Sequence, residues 1–348
     1  MCACLSDFDR RLLDQLQREI PLCAQPYAQV AKRISSNESQ VVERVAELCG
    51  PGPAPIRQIS AIFDSKKLGY QSCLVAAKVE PEFIRDAAQI INAHPGVSHN
   101  YQREHAYNLW FTLAVPPTST LGLERTIQIL QLQSHALQIR LMPALKLYKI
   151  GVRFDLGVDA TPEAPVTAPS NGQAAALTDT DEQMIRVLQQ HLPIAPRPFD
   201  QWAGEAGVSV EDLLAAARRY LDEGIMRRFS AVLRHREIGV SANAMGVWIV
   251  PAERHDEFGN QAALHPAVSH CYLRPSYPDW PYSVFTMVHG KKRVDCEAAL
   301  AAISVRSGIS EYASLYSTEE FKKTRVKYFV GDVEQWEVEH SSGSARIE

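Results

Sequence analysis

The sequence predicts an α+β fold class written twice in tandem, each copy a short helical unit followed by a β-α-β-β-α-β segment. Three observations predict it: a residue pattern that recurs along the chain, helical periodicity giving way to strand-like runs in each half, and a Pro/Ala-rich stretch between the halves. The recurring pattern is His-x-Tyr-x-Arg, as His99, Tyr101 and Arg103 in VSHNYQRE and as His270, Tyr272 and Arg274 in VSHCYLRP. Each copy follows a His-Pro-x-Val-Ser lead-in, at residues 94–98 and 265–269.

The repeat reaches well beyond the motif. Leu13, Leu16, Pro21, Pro26, Tyr27 and Ala31 recur 172 positions later as Ile185, Leu188, Pro193, Pro198, Phe199 and Ala203. Arg57, Ser60, Ala61, Gly69 and Pro81 recur 170 positions later as Arg227, Ser230, Ala231, Gly239 and Pro251, so a small loop difference falls near residues 50–56. Between the copies, DATPEAPVTAPSNGQAAA has no hydrophobic periodicity and reads as a semi-extended tether that lets the halves pair with each other.

In each half, helices come first. Ser6 and Asp7 cap an apolar stripe of Phe8, Leu12, Leu13 and Leu16, and further helices are expected over 27–34 and 36–48 around the polar turn SSNES. The second half repeats this over 181–190, 199–205 and 209–222, and three short helices with a tight turn suggest a helix-turn-helix. Strand-like runs follow: IRQISAIFD, SCLVAAKV, the motif strand, NLWFTLAV and ALKLYKIGVRF, with helices over 82–93 and 123–133. In the second half the runs are MRRFSAVL, NAMGVWIV, the motif strand, YSVFTMVHG and FKKTRVKYFV, with a helix over 295–305. That order is ferredoxin-like. The expected domains are helix-turn-helix 1–56, ferredoxin-like 57–158, linker 159–176, helix-turn-helix 177–226, ferredoxin-like 227–332 and a tail 333–348.

Composition narrows the setting. No apolar run has the length of a membrane span, and MCACLSDFDRR lacks the apolar stretch of a secretory signal. Seven cysteines, odd in number and without a Cys-x-x-Cys pair, fit reduced thiols in the cytoplasm. No phosphate-binding G-x-x-x-x-G-K-[ST], dinucleotide glycine fingerprint, H-E-x-x-H or G-x-S-x-G is present.

DNA binding needs Lys and Arg on the recognition helix to neutralise phosphates. The first candidate helix carries Glu38, Glu43 and Glu47 against Arg44, and the second carries Glu211, Asp212, Asp222 and Glu223 against Arg218 and Arg219. Both are net acidic in a chain of formal charge -4, so no DNA partner is expected. The motif points elsewhere: alternate strand residues share a face, so each copy presents an imidazole, a phenol and a guanidinium together, a trio able to bind and protonate an acidic ligand.

At the family level the chain resembles the Lrp/AsnC proteins, a winged helix-turn-helix ahead of a ligand-binding ferredoxin-like domain, on QVAKRISSNESQVVERVAEL, IRQISAIFDSKKLGY and their spacing in both halves. More specifically, HNYQREHAYNLWFTLAV and SHCYLRPSYPDWPYSVFTMVHGK look like the two halves of the siroheme decarboxylases. That resemblance implies loss of two acetate carboxyls from siroheme, on the way to heme d1 or heme, with the iron tetrapyrrole as substrate and no separate organic cofactor. A polyanionic macrocycle calls for guanidinium forks and aromatic walls. Arg103, Arg274, Arg57, Arg227 and Arg228 are expected as forks; Tyr107, Trp110, Tyr277, Trp280 and Tyr282 are expected as walls. His99 and His270 are the expected proton donors, with Tyr101 and Tyr272 beside them and His105 as a further catalytic candidate; His289 is expected at the substrate. The halves are expected to pair within the chain, with a homodimer as a further possibility. Two rival readings stay open, an Lrp/AsnC-type regulator sensing an anionic small molecule and a non-catalytic tetrapyrrole carrier.

Overall fold

The computed structural model describes residues 5–50, 54–150, 174–234 and 242–341. Most of the expected linker, 159–173, lies outside them. The described residues fall into two compact units, a helical one drawn from residues up to 69 and from 174–234, and a sheet unit drawn from 70–150 and 242–341.

In the helical unit the first half contributes α1 (Asp7–Arg18), α2 (Pro26–Arg33), α3 (Glu38–Leu48) and β1 (Ile56–Phe63). In the sheet unit it contributes β2 (Gln71–Lys78), α4 (Ile84–Ala93), β3 (Val97–Arg103), β4 (Leu109–Val115), α5 (Gly122–Gln133), β5 (Gln138–Met142) and β6 (Lys146–Ile150). The second half repeats the series as α6 (Asp179–Leu188), α7 (Phe199–Ala206), α8 (Val210–Asp222) and β7 (Met226–Leu233), then β8 (Ala242–Trp248), α9 (His255–Ala263), β9 (Val268–Leu273), β10 (Val284–Gly290), α10 (Arg293–Ser307) and β11 (Tyr312–Lys323).

The helical unit is locked by the same device twice. Ser6 and Asp9 form a capping box on α1, and Thr178 and Asp181 form one on α6. Each aspartate also holds an arginine from the third helix: Arg44 Nε and Nη2 reach Asp9 at 2.6 and 2.8 Å, and Arg219 reaches Asp181, which also accepts from Tyr220 at 2.6 Å. β1 and β7 pair antiparallel, and the chain after each first helix joins the other half's strand, through Ile20 N to Phe229 O and Leu192 N to Ile59 O, both at 2.8 Å.

The sheet unit holds a nine-stranded sheet of order β5-β2-β4-β3-β11-β8-β10-β9-β6. β11 pairs with β8 through Tyr312–Tyr316 and then with β3 of the first half through residues 317–323. The first half does the same in two pieces: β5 pairs with its own β2, and β6 pairs with β9 of the second half. Sequence reading placed the last strands at ALKLYKIGVRF and FKKTRVKYFV. The first run does hold a strand, β6, but a further strand, the short, Gln- and Arg-bearing QIRLM of β5, precedes it; the second is corrected, because β11 runs over Tyr312–Lys323 and ends where that run begins. Only residues 143–145 separate the outermost strands β5 and β6, a span of at most about 14 Å, so the sheet curls until its two edges meet at that connection, without β5 and β6 pairing.

This closure makes three cores. Val75, Phe111, Ile91 and Leu130 pack under α4 and α5, while Trp248, Phe258, Val288 and Leu300 pack under α9 and α10. Between the two halves of the curled sheet, on the inter-sheet face turned away from the helices, lie Ala76, Trp110, Met245, Val247, Trp280, Phe285 and Leu315. The expected tail contains a further helix, α11 (Asp332–Ser341), whose Trp336 enters the first core. Buried Glu337 accepts from Thr120 N and Oγ1 at 2.8 Å just before α5.

The Asp181 carboxyl is raised by burial, but donors on Tyr220, Thr178 and Arg219 outweigh this and hold it at about 2. Its stabilising effect is therefore present above the usual carboxylate range and is lost as pH falls through about 2. Asp181→Ala removes cap, phenol acceptor and ion partner together. It is expected to cost about 1–3 kcal/mol, read as a lower urea midpoint of the helical signal; an unchanged midpoint would refute this role.

Candidate functional site

On β3 the alternation of a strand puts His99, Tyr101 and Arg103 on the inter-sheet face and sends Asn100 to the helices, where it donates to Asn92 at 3.0 Å. His99 and Tyr101 stack with ring centroids 6.2 Å apart, and the Arg103 guanidinium lies 5.8 Å from the Tyr101 ring. β9 repeats this: His270 and Tyr272 at 6.2 Å, Arg274 at 4.7 Å from Tyr272. The pairing of His270 with Met287 and of Tyr272 with Phe285 places this trio on the inter-sheet face as well.

The lead-in explains itself locally. His94 Nδ1 accepts from Gly96 N at 3.0 Å and His265 Nδ1 from Ala267 N at 3.2 Å, closing the turn into each motif strand. Gly96 is required there, since a Cβ would sit 2.0 Å from Ala114 O. Burial, with Lys322 and His340 nearby, pushes His94 down to about 3, so it is a neutral turn staple. The serine before each motif histidine fixes its ring: Ser98 Oγ lies 3.0 Å from His99 Nδ1, and Ser269 Oγ lies 2.8 Å from His270 Nδ1. No role for these serines is expected from the sequence, although their recurrence beside the histidines is a signal of one.

The exchanged strands make the two copies unequal. On β11, Lys323 stands opposite His99 and Glu320 opposite Tyr101; on β6, Ile150 stands opposite His270 and Leu147 opposite Tyr272. The Ser98 hydroxyl turns to Thr112 Oγ1 at 2.7 Å, whereas the Ser269 hydroxyl meets His289 Nε2 at 2.7 Å. Burial lowers the His289 pKa, and Lys323 lowers it further. The charge of Lys323 thus bears on residues of both motif strands' surroundings, a contact no sequence pattern announced.

Other expected site residues stand elsewhere. Arg103 Nη1 donates to Leu315 O at 2.8 Å, and Arg274 Nη1 donates to Met142 O. Leu315 and Met142 occupy matching places, opposite Met245 and Leu74, where each last strand leaves its own half. These guanidiniums clasp the crossing strands and are not open forks, although neither forms an ion pair among the described residues and burial lowers both pKa values. Trp110 and Trp280, 2 % and 0 % exposed with centroids 5.2 Å apart, build the inter-sheet core and are not walls of an open cleft. Tyr107 is buried with them, and Tyr277 and Tyr282 pack against the same cluster.

His105 lies past the end of β3, not on its face. Its Nδ1 accepts from Tyr107 N at 3.0 Å and its ring meets Trp280 at 5.0 Å, while His99 sits four residues before the strand end, about 13 Å away at strand rise. The basic ribbon residues belong to the helical unit. Arg227 pairs with Asp64 at 2.8 Å, Arg228 stands opposite Ile62, and Arg57 falls at the register break between Ile56 and Gln58.

Two family models match the chain: an AsnC-like ligand binding domain over 67–149 and 237–322, and a siroheme decarboxylase NirDL-like HTH domain over 9–52 and 181–227. The siroheme decarboxylase of Hydrogenobacter thermophilus is 37% identical over 331 residues, 95% of this chain and 97% of that protein. The crystal structure of the siroheme decarboxylase NirDL aligns with TM-score 0.77 and 33% identity, covering 97% of this chain and 99% of that one. NirDL in co-complex with an iron-uroporphyrin III analogue aligns with TM-score 0.76 and 32% identity, with the same coverage. With sequence and architecture shared over nearly all of its length, this chain belongs to the siroheme decarboxylase family.

Proposed function

We propose that this protein removes two acetate carboxyls from siroheme as CO2, giving 12,18-didecarboxysiroheme in heme d1 or alternative heme synthesis, as a non-oxidative carboxy-lyase. The observation that carries this reading is the duplicated, serine-anchored histidine on the inter-sheet face, held beside buried cations that lack carboxylate partners among the described residues. A desolvated guanidinium without a counter-ion costs stability and favours an anion nearby. The NirDL relative binds an iron-uroporphyrin III analogue, a tetrapyrrole of the same polycarboxylate kind.

The chemistry asks for two things. When the bond between the acetate CH2 and its carboxylate breaks, the electron pair needs a sink, which the protonated tetrapyrrole ring supplies without a separate organic cofactor. The carbon then takes one proton, so each acetate becomes a methyl group with release of CO2. The protein's part is to supply that proton and to hold the leaving carboxylate away from water. Ser98 and Ser269 orient the imidazoles for the first task, and Tyr101 and Tyr272 stack against them as neighbouring phenols. Arg103, Arg274 and Lys323 supply positive potential for the second.

The regulator reading loses support from the helical unit. Arg44 and Arg219, basic residues of the candidate recognition helices, are engaged by Asp9 and Asp181 inside the unit. We propose no DNA partner.

Anaerobic incubation with siroheme followed by mass analysis is expected to show loss of two CO2 units; tight binding with a Soret change but no CO2 would make the protein a carrier. A salt-dependent DNA shift at nanomolar protein would favour the regulator. His270→Ala is expected to lower kcat by about 10²-fold or more with porphyrin affinity retained, as for loss of a general acid. Full turnover in both His99→Ala and His270→Ala would remove these residues from the mechanism.

A further inference from the structure

The second motif strand is connected to a half-buried histidine, His289, that the first lacks. Ser269 Oγ sits between two imidazoles, 2.8 Å from His270 Nδ1 and 2.7 Å from His289 Nε2, and it also reaches Met287 O at 3.3 Å. In the first half the matching serine meets Thr112, and the strand pairing puts Ala114 where β10 has His289. His289 Nδ1 is buried and has no hydrogen-bond partner among the described residues, an arrangement that costs stability.

We propose that His289 is a positioning residue for the decarboxylation, acting on His270 through the Ser269 hydroxyl, and that the second-half site is the one with a two-imidazole proton path. The inference rests on the proposed decarboxylation and adds which copy of the motif is equipped to feed protons repeatedly.

A serine hydroxyl carries one hydrogen and can accept another. When His289 Nε2–H donates to Ser269 Oγ, the serine hydrogen points to His270 Nδ1 and leaves the proton of His270 on Nε2. As His270 gives that proton to the carbon left by CO2, Nδ1 takes the serine hydrogen and Ser269 takes the hydrogen of His289. The net change is one proton moved from imidazolium His289 to the substrate carbon, with His270 neutral before and after and only its tautomer changed. Thr112 cannot do this, because a hydroxyl does not hold a spare proton near neutral pH.

The groups facing His289 are few. β9 brings Ser269 and His270, β8 brings Asn243 opposite in register, and β11 brings the Lys323 charge. At the start of α10, Asp295 is held by the amides of Lys291 and Lys292, each at 2.9 Å. Lys323 disfavours imidazolium His289. The carboxylates of a bound substrate offset that charge, so the path becomes protonated when it is needed.

The test uses the full chain with His289→Ala and His289→Gln, read three ways: porphyrin binding by Soret titration with iron uroporphyrin, kcat against pH with siroheme, and the ring nitrogen NMR shifts of His270. In the alanine variant, porphyrin Kd should stay within about 2-fold while kcat falls by about 10-fold or more and the His270 nitrogens move toward mixed tautomers. Glutamine should restore the His270 tautomer, since its amide can donate to Ser269, but not kcat or the pH profile, since it carries no transferable proton. Unchanged His270 shifts in the alanine variant, or unchanged kcat and pH profile, would overturn the proposal. Should the alanine variant not fold, the glutamine variant alone decides, because wild-type kcat and pH profile there would refute proton transfer. If the wild-type protein releases no CO2 from siroheme, the proposed function fails, while the NMR response still reports whether His289 orients His270.

Discussion

The exchange of last strands between the halves is the constraint on which the rest of the sheet unit depends. Each ferredoxin-like half has a motif strand at the edge of its own sheet, β3 in one and β9 in the other. An exposed edge offers unpaired amides and carbonyls to any passing strand. Here each edge is taken by the other half, β3 by the end of β11 and β9 by β6, so neither motif strand is an edge and neither half completes its own site. The exchanged strands also hold the turns into the motif: Lys322 Nζ donates to the carbonyls of Asn92 and His94, and Lys149 Nζ to that of His265. A fused chain keeps these reciprocal contacts at a fixed stoichiometry of one half to the other.

The same crossing explains where the motif arginines went. A strand that leaves one sheet for another exposes a carbonyl at the point of departure, and a buried carbonyl without a donor costs on the order of 1–3 kcal/mol. Arg103 and Arg274 meet that need at Leu315 and Met142, and their side chains lie over the motif tyrosines on the way. Because each brings a full charge to meet a neutral acceptor, and Nε of each has no partner among the described residues, the structure holds more positive potential than its own hydrogen bonds require. That surplus is unfavourable for folding and favourable for a polycarboxylate, the balance found where stability gives way to function.

Much of the architecture could be read from the chain because it rests on local periodicity repeated twice. The three-helix units of both halves, α4, α5 and α10, and the shared face of His99, Tyr101 and Arg103 all follow from spacing within a few residues, whereas α9, in HDEFGNQAA, and α11, in the expected tail, carry too few apolar residues to announce themselves. What escaped reading was decided by pairing between distant segments. QIRLM is too short and too polar to announce β5, and nothing in KLYKI shows that β6 pairs with the second half. Trp110 and Trp280 are aromatic residues near a motif, and sequence has no means of telling a pocket wall from a core when the opposing sheet comes from residues more than a hundred positions away. Lys323 likewise sits beside His99 only because β11 crosses over.

The divergence of the halves is concentrated around the motif and not within it. His, Tyr and Arg are present in both copies and hold the same geometry, yet their neighbours differ in kind: Lys323 against Ile150, Thr112 against Met287, Ala114 against His289. On the proposed double decarboxylation, the substrate would present the same reaction twice at different positions of one macrocycle. A duplicated fold meets that demand with two like surfaces, but identical surfaces would compete for identical poses. In the proposed reaction, an ammonium opposite one imidazole and a second imidazole behind the other would separate electrostatic grip from proton supply.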